Sequence, residues 1–396
     1  MNLLADSYRP RPGARSILFL DFDDETSRRL GDPVLVPANA TGRALARIAP
    51  MKPWAVFVDL DLASVEDPDD IAGLRNGISE LIRSGAVVLL GRETIPASEN
   101  SSEVRLRPSK LDRFVADTNG VLWVSVAYSA GDDGIVRTIL PVQTVQAEAR
   151  LLVLPSMPLV LKLLAMDGNS QRLEQMVELG ITNRSNCAAS DPAMLSFCTA
   201  TGVFQIDPRS PVTVDYSFRW RRAPASHYRI ANSLGSAPQI MRVPMYPLLA
   251  NAELDPSLFR NALVIVGATA ERRDIRATPI DTMPGAFILA NAARDWLELG
   301  PHRSSYVTGL VLILCATLLL TILTWLLLSS MPKKWSRRLR GKLAAILTAV
   351  LWLLFLALGN PVASIGLILT AFLVVSAVCF CHELGERLKL PAERHG

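Results

Sequence analysis

The chain is short of the residues and motifs on which several common kinds of catalysis depend. The nucleophile motif Gly-x-Ser-x-Gly does not occur. Gly267 follows an apolar run, but the sequence around it matches neither the Rossmann glycine pattern nor the Walker lysine motif. The four histidines are scattered and support neither a zinc site nor a serine triad: His227, His302, His382 and His395. We therefore assign no catalytic residue, no metal site and no cofactor.

The chain also has only a small excess of positive over negative charge. The formal net charge is only +4 across 396 residues, and much of the basic excess lies in one short segment. This distribution predicts no nucleic-acid surface. Wholesale disorder is excluded as well, because 50% of the residues are hydrophobic and disordered chains are poor in apolar side chains.

The apolar residues are concentrated in the last quarter of the chain. The run 306–328 contains no charged residue and would form a helix about 34 Å long, enough for a bilayer core of about 30 Å. Two further runs, 343–358 and 362–381, are separated by the short turn 359–361. We predict three transmembrane helices, and the alternative is a set of helices buried in a soluble core.

The charges between these runs predict their orientation. The segment 332–342 is rich in lysine and arginine, whereas the turn 359–361 carries no charge. The positive-inside rule therefore places 332–342 in the cytoplasm, where it can also contact anionic lipid head groups. Residues 1–303 then lie outside the cytoplasm, and the tail 382–396 lies inside.

Export of a large amino-terminal domain needs a signal that the first residues do not supply. Residues 1–16 contain no apolar stretch of signal-peptide length. We therefore expect an apolar segment upstream of Met1. The alternative is the reverse orientation, with the domain in the cytoplasm.

Residues 1–303 have the pattern of an α/β domain. Short apolar runs alternate with helical patterns, which predicts a mixed or largely parallel sheet covered by helices. In the helical pattern 70–83, apolar residues recur at steps of three and four. The predicted strands are 17–22, 55–60, 86–90, 121–126, 212–216 and 263–266.

A further helix is predicted at 285–299, shortly before the first apolar run. The spacing directs Arg294, Asp295 and Glu298 to water, so truncation of Arg294 should hardly affect stability. The opposite face should pack on the sheet, and truncation of its tryptophan should destabilise the domain. That face consists of Ala286, Leu289, Ala293, Trp296 and Leu297.

Several motifs of this region resemble the type-2 CHASE domain. The most specific block starts at 263–270 (LVIVGATA) and continues through Asp274 to the Ala-Asn-Ala of 290–292. The segment 17–27 (ILFLDFDDETS) agrees with the start of that domain. The resemblance covers roughly residues 15–300 and implies an extracytoplasmic sensory domain of bacterial cyclases and histidine kinases, and hence a location in the bacterial inner membrane.

Other features depart from this family. Its members usually have a membrane span before the domain and an enzymatic output domain after the last span. The tail 382–396 is too short to fold as an output domain, and 33–37 replaces a tryptophan-proline segment. The resemblance therefore implies sensing more strongly than catalysis, with a separate cytoplasmic or membrane protein as effector.

Acidic residues lie at the ends of two predicted strands. Asp21 and Asp23 end the first strand and Asp59 the second, where carboxylates can line a ligand crevice. We predict that they bind a ligand. The same segment suggests a membrane-tethered, phosphatase-like hydrolase, although Thr26 falls one residue late for that motif. Capped or solvated acids without a ligand are the third interpretation.

Polar residues after the last predicted strand form a second group of candidates. Thr269 follows Gly267 in a segment that can form a tight turn or hold an anion on its backbone. Asp274 and Thr278 lie at positions that match the resembled family. We predict that all three either face a ligand or organise this loop.

Five cysteines divide into two groups. Cys315, Cys379 and Cys381 lie in the apolar runs, where cysteine behaves as a small hydrophobe. Cys187 and Cys198 lie in a polar segment of the exported region, where an oxidising compartment favours a disulfide. We predict that they are bonded, and the alternative is two free thiols.

These patterns together predict a membrane-anchored sensor or interaction protein. A small ligand or a protein outside the cytoplasm would change the α/β domain, and helix 285–299 would pass the change to the first span. The small residues Ala363 and Gly366 allow close helix approach and hence a homodimer.

Overall fold

The computed structural model describes most of the region before residue 299. The described residues are 15–96, 104–147, 150–168, 170–182, 193–214, 216, 220, 228–230, 240–252, 254–270 and 274–298. They belong to a compact unit that comprises residues 5–304. No helix in these ranges is long and apolar enough to cross a membrane. The predicted spans 306–328, 343–358 and 362–381 lie outside the described residues.

Strands and helices alternate through the first part of the domain, as the sequence predicts. The strands are β1 Ile17–Phe22, β2 Ala55–Asp59, β3 Val87–Arg92, β4 Thr94–Pro96, β5 Val104–Leu106, β6 Val121–Ser125, β7 Tyr128–Ala130, β8 Val136–Ile139, β9 Val142–Ala147, β10 Arg150–Pro155, β11 Leu195–Thr199, β12 Gly202–Ile206, β13 Val212–Thr213, β14 Tyr228–Ile230, β15 Ile240–Pro244, β16 Leu263–Ala268, β17 Ile275–Ala277 and β18 Thr282–Pro284. The α-helices are α1 Asp24–Arg29, α2 Ala38–Ile48, α3 Pro68–Arg83, α4 Asp112–Ala116, α5 Met157–Asp167, α6 Ser170–Ile181, α7 Met245–Leu249, α8 Pro256–Phe259 and α9 Gly285–Glu298.

The central sheet has the strand order β14-β15-β1-β16-β2-β3-β6. Neighbouring strands from β15 to β6 are parallel, and β14 pairs antiparallel with β15 at one edge. The predicted strands 17–22, 55–60, 86–90, 121–126 and 263–266 all correspond to strands of this sheet. The predicted fold class, α/β with a largely parallel sheet, is therefore confirmed for the described domain.

The predicted strand 212–216 does not belong to the central sheet. Its ladder is limited to Val212–Thr213, which pairs antiparallel with β8 in the small sheet β13-β8-β7. Beyond the ladder, the Val214 amide still donates to the Arg137 carbonyl over 2.9 Å. The apolar run identified a strand correctly, but a run of this length does not specify which sheet it joins.

Side chains of the central strands alternate between two apolar cores. In β1, Ile17 and Phe19 face one core, whereas Leu18 and Leu20 face the other. This is the period of two that strand geometry imposes. The first core is covered by α5 and α9, and the second by α2, α3 and α7. Burial on both faces explains why these strands are almost continuously apolar.

Glycines let α2 and α3 pack with their backbones in contact. A Cβ atom on Gly42 would overlap the Gly73 carbonyl and lie 2.8 Å from the Leu74 Cα. A Cβ atom on Gly77 would in turn lie 2.8 Å from the Gly42 Cα. Real Cβ atoms do not approach that closely. The two helices can therefore pack at this distance only because glycine has no Cβ atom.

The prediction for α9 is correct for its apolar face and wrong for its polar face. Ala286, Leu289, Ala293 and Trp296 are buried, although Leu297 is only partly so. However, Arg294, Asp295 and Glu298 are buried too, with exposed fractions of 2%, 2% and 9%. The helix packs against α5 and β18 as well as against the strands β1 and β16, so more than one side is covered.

The buried charges of α9 are partly matched within the helix. The Arg294 guanidinium lies 3.5 Å from the Glu298 carboxylate one turn later. Burial nevertheless raises the pKa of Glu298 to about 7. Truncation of Arg294 should therefore destabilise the domain, contrary to the expectation from sequence, because it removes the cation beside a buried carboxyl group.

Candidate functional site

The strand order creates a switch point at the carboxyl ends of β1, β15 and β16. After β1, the chain continues to β2, β3 and β6 on one side, and it later returns to place β15 on the other. In open α/β sheets, ligands bind in the crevice outside the strand ends at such a point. The register sets Asp21 of β1 beside Pro244 and Gly267 there.

A buried charge cluster occupies this switch point and consists of Asp21, Asp23, Arg242 and Thr269. The Asp21 side chain has no exposed surface, and Arg242 donates to it through Nε. Thr269 donates to the same carboxylate twice, through its hydroxyl over 2.9 Å and its amide over 3.2 Å. Two chain segments that are distant from Asp21 in sequence thereby hold its carboxylate.

Asp23 belongs to the same cluster but has a different task. Its carboxylate accepts from the Thr26 amide over 2.8 Å and from the Thr26 hydroxyl over 2.7 Å, which caps the amino terminus of α1. The Arg242 guanidinium lies 3.7 Å from it. The Thr26 hydroxyl in turn accepts from the Tyr246 amide over 3.2 Å, so it joins α1 to α7.

Burial governs the protonation of Asp21. Desolvation raises the pKa of Asp21 to about 7, while the Arg242 charge and the Thr269 hydroxyl oppose the rise. The other side of the Arg242 guanidinium stacks on the Trp220 ring, 4.9 Å from its centroid. The buried charge cluster is therefore closed by protein groups on several sides.

These contacts disfavour the hydrolase alternative. A nucleophilic carboxylate must reach the substrate, but Asp21 is fully buried and bonded to Arg242 and Thr269. Asp23 and Thr26 are engaged in the helix cap. Within the described ranges, there is no group of three or more histidine, cysteine, aspartate or glutamate side chains that could hold a metal ion.

A second group, the Tyr128 cluster, lies closer to the surface and consists of Tyr128, Asp274, Arg276 and Gly285. Arg276 Nε donates to the Tyr128 hydroxyl over 2.6 Å and lies 3.5 Å from Asp274 Oδ1. The Tyr128 hydroxyl lies 3.4 Å from the same oxygen. The Asp274 and Arg276 side chains are 38% and 47% exposed, so a ligand from solvent can reach both.

Asp274 also supports the start of α9. Its Oδ2 accepts from the Gly285 amide over 3.0 Å. A Cβ atom on Gly285 would lie 2.8 Å from Asp274 Oδ1, so glycine is needed for this approach. A carboxylate at this position also compensates the positive end of the helix dipole. One side chain thus connects the exposed cluster to α9.

The electrostatics of the Tyr128 cluster reflect its partial burial. Burial raises the pKa of Tyr128 to about 12, with further contributions from the Asp274 and Asp59 charges. Burial also raises the pKa of Asp274, against the opposing effect of Arg276 and the Gly285 amide. Asp59, at the end of β2, is therefore close enough to act on the cluster.

The predicted site residues fall into separate places. Asp21, Asp23 and Thr269 meet in the buried charge cluster, and Asp274 belongs to the Tyr128 cluster with Asp59 nearby. Thr278 takes part in the turn between β17 and β18, where its hydroxyl donates to the Asp281 carbonyl over 2.5 Å. That geometry gives Thr278 a structural role in the turn.

Sequence reasoning missed three residues of these clusters: Arg242, Tyr128 and Arg276. Arg242 carried a signal, because a charged residue interrupts the otherwise apolar segment Ile240–Pro244. A charge within a strand that is to be buried requires a partner. Tyr128 and Arg276 carried no comparable signal, because each lies in a short strand with polar neighbours.

One half of the predicted disulfide is described. Cys198, in β11, is disulfide-bonded. The other four cysteines, Cys187 among them, lie outside the described residues. The pairing of Cys187 with Cys198 therefore stays a prediction.

The largely parallel sheet with helices on both faces makes this a doubly wound α/β domain. Proteins of this class bind ligands outside the carboxyl ends of their strands. A family model for the CHASE2 domain matches residues 2–331, which is most of the chain. The chain therefore belongs to the CHASE2 domain family, a family of extracytoplasmic sensory domains. Comparison with curated proteins and with solved structures gave no match.

Proposed function

We propose that the chain is a membrane-anchored sensor that binds its ligand at the Tyr128 cluster and transmits the change through α9. Residues 1–303 would lie outside the cytoplasm, and 306–328, 343–358 and 362–381 would span the membrane. The effector would be a separate cytoplasmic or membrane protein. Membership of a sensory family supports the sensing role, and the apolar runs support the anchoring.

The observation that carries the proposal is the double engagement of Asp274. One carboxylate oxygen accepts from the first amide of α9, and the other faces Tyr128 and Arg276. A ligand that competes for Tyr128 or Arg276 changes the electrostatic balance at Asp274 and hence at α9. The helix ends at Glu298, shortly before the run 306–328, so a shift has a short path to the proposed first span.

The buried charge cluster fits the role of a scaffold in this scheme. Its carboxylates are already bonded to Arg242, Thr269 and Thr26, and the side chains of Asp21, Asp23 and Arg242 are at most 8% exposed. Ligand entry there would require several of these contacts to break. The Tyr128 cluster needs no such opening, because Asp274 and Arg276 are both partly exposed.

Reporter fusions test the proposed topology. A reporter joined after Gly300 should be active outside the cytoplasm, and one joined after Gly396 should be active inside. The physical reason is the basic segment 332–342, which the positive-inside rule retains in the cytoplasm. Cytoplasmic activity from both fusions would show that the proposed orientation is wrong.

Hydrogen exchange tests the transmission step in the full-length protein. Asp274→Ala should speed amide exchange along the whole of α9, including its last turn at Trp296, because loss of a capping acceptor costs about 0.5–2 kcal/mol. The matched control is Asp255→Ala, which removes the aspartate cap of α8. That variant should leave the exchange of α9 unchanged. Faster exchange confined to the first turn of α9 would contradict transmission by the helix as a unit.

A further inference from the structure

Basic residues gather at the amino ends of three central strands. The strands β1, β16 and β2 lie side by side, and Arg15, Arg260 and Lys52 come shortly before them. The Asn261 amide donates to the Lys52 carbonyl over 3.0 Å, which joins the segments before β16 and β2. The Arg15 guanidinium lies over the Trp54 ring, 4.2 Å from its centroid. We call Arg15, Lys52, Trp54 and Arg260 the basic edge.

The charge of the basic edge is not matched by nearby acids. Lys52 and Arg260 are exposed, and neither forms an ion pair within the described part of the chain. The acid of the segment before β16, Asp255, is engaged in capping α8. By contrast, Arg83 and Arg113, which precede β3 and β6, each pair with an acid one turn away. The unmatched positive charge is therefore concentrated at β1, β16 and β2.

Two of these cations are held at a cost to the fold. Lys52 has a φ of 56°, in the left-handed region that glycine occupies without strain. The Nε atom of Arg15 is buried and has no hydrogen-bond partner among the described residues. A buried donor without a partner is unfavourable. Local rules are broken mainly where a function requires it, so both cations indicate an anionic partner.

The course of α9 indicates which partner can reach this edge. The helix begins beside the carboxyl end of β16, because a Cβ atom on Gly267 would lie 2.5 Å from the Ala286 Cβ. It then packs on β1 and β16, and a helix that follows a parallel strand runs back toward the amino end of that strand. From Glu298 to the apolar run 306–328, the extended chain spans at most about 28 Å. The proposed anchoring therefore brings the basic edge close to the bilayer.

From this placement we propose that the basic edge docks on the anionic phospholipid head groups of the membrane that anchors the chain. Arg15, Lys52 and Arg260 would contact lipid phosphates, and Trp54 would lie at head-group level, where tryptophan is favoured. This inference rests on the anchoring part of the proposed function and adds a second contact with the membrane. A docked domain cannot rotate freely, so a shift of α9 passes into the first span instead of turning the whole domain.

Acetylation of lysines in the full-length protein tests the docking. The chain is inserted into nanodiscs of phosphatidylcholine alone or of phosphatidylcholine with phosphatidylglycerol, and a neutral acetylating reagent is added. Lys110 is the internal reference, because it is exposed beside the opposite edge, where the Ser109 hydroxyl donates to the Leu62 carbonyl over 3.0 Å. Phosphatidylglycerol should slow the reaction of Lys52 relative to Lys110 at least about fivefold. The slowing should disappear in 1 M salt, where charge interactions reach only about 3 Å.

Single variants assign the effect to the basic edge. Arg260→Gln should weaken docking about fivefold, the usual contribution of one basic residue near an anionic surface, and its Tm without lipid should not change because the side chain is exposed. Arg15→Gln should weaken docking by a similar factor. The control is Arg28→Gln on α1, beyond the carboxyl end of β1, where the side chain is 66% exposed. An equal effect of Arg28→Gln would mean that net charge acts without a defined surface, which overturns the proposal.

The outcomes separate this inference from the proposed function. A chain that inserts into both kinds of nanodisc, with Lys52 as reactive relative to Lys110 in one as in the other, overturns the docking and leaves the anchoring intact. A chain that stays outside the nanodiscs overturns both. Slowing of Lys52 that phosphatidylglycerol does not increase, or that 1 M salt does not remove, would show that tethering alone shields this edge and that anionic head groups do not bind it.

Discussion

Replacing Gly42 with alanine should lower the free energy of unfolding by about 3 kcal/mol, the upper end of the usual cost of overpacking. The added Cβ would overlap the Gly73 carbonyl and lie 2.8 Å from the Leu74 Cα. Both are backbone groups within α3, so no side chain can rotate away. The helices would have to separate, and the apolar contacts between α2 and α3 would be lost with them.

The sign of this effect is what makes the experiment informative. Within a helix, alanine is intrinsically better than glycine by about 0.5–1 kcal/mol, so a helix without the close contact would gain stability. Urea unfolding of the full-length protein should show a clear loss instead. Arg43→Ala, at the exposed neighbouring position, is the matched control and should stay within about 0.5 kcal/mol of the parent. Equal or higher stability of Gly42→Ala would contradict the observed helix packing.

The central strands were predictable because each is a nearly unbroken apolar run. Strands such as β1 and β16 are buried on both faces, and that requirement is visible in a single sequence. β15 was missed because Arg242 interrupts its apolar pattern and Pro244 ends it. Of the small sheets, only β13 was predicted, from the run 212–216, because strands with one exposed face and few residues carry a weak pattern.

The candidate site was only partly predictable because its partners are distant in sequence. Asp21 was identified from its place at a strand end, but its ion-pair partner lies 221 residues away. Strand order and register determine which residues meet, and neither is encoded in local periodicity. The polar face of α9 shows the same limit. Arg294 and Glu298 have the spacing of a solvated face, and only the packing of α5 and β18 on that helix reveals that they are buried.

The second large effect is expected at the buried charge cluster. Arg242→Met keeps most of the side-chain volume but leaves the Asp21 carboxylate without its cation, in a position with no exposed surface. Breaking a buried ion pair on one side typically costs about 3–5 kcal/mol, because the remaining charge stays desolvated. With a folded pKa of about 7, Asp21 can instead take up a proton, which costs only about 1.4 kcal/mol at pH 8. Once the lost hydrogen bonds of Arg242 are added, urea unfolding of the full-length protein at about pH 8 should show a loss at the lower end of this range.

The folded and unfolded pKa values of Asp21 determine how the stability loss of Arg242→Met depends on pH. An aspartate has a pKa of about 3.9 when unfolded, whereas burial raises the folded pKa of Asp21 to about 7. Because the folded pKa lies above the unfolded pKa, the protonated Asp21 side chain stabilises the fold fully at pH values below about 3.9. This stabilisation is lost as the pH rises through about 7. Without Arg242, the folded pKa of Asp21 rises further. The variant should therefore be closest to the parent at about pH 5 and furthest from it at about pH 8.

A double variant separates the ion pair from simple packing. Asp21→Asn combined with Arg242→Met removes both charges while the amide oxygen can still accept from Thr269. Replacing both partners of a buried pair is often nearly neutral, so the double variant should recover most of the lost stability and its pH dependence should disappear. An equal loss at both pH values without recovery in the double variant would mean that Arg242 stabilises the fold through its stacking on Trp220, 4.9 Å away, and that the charge of Asp21 contributes little.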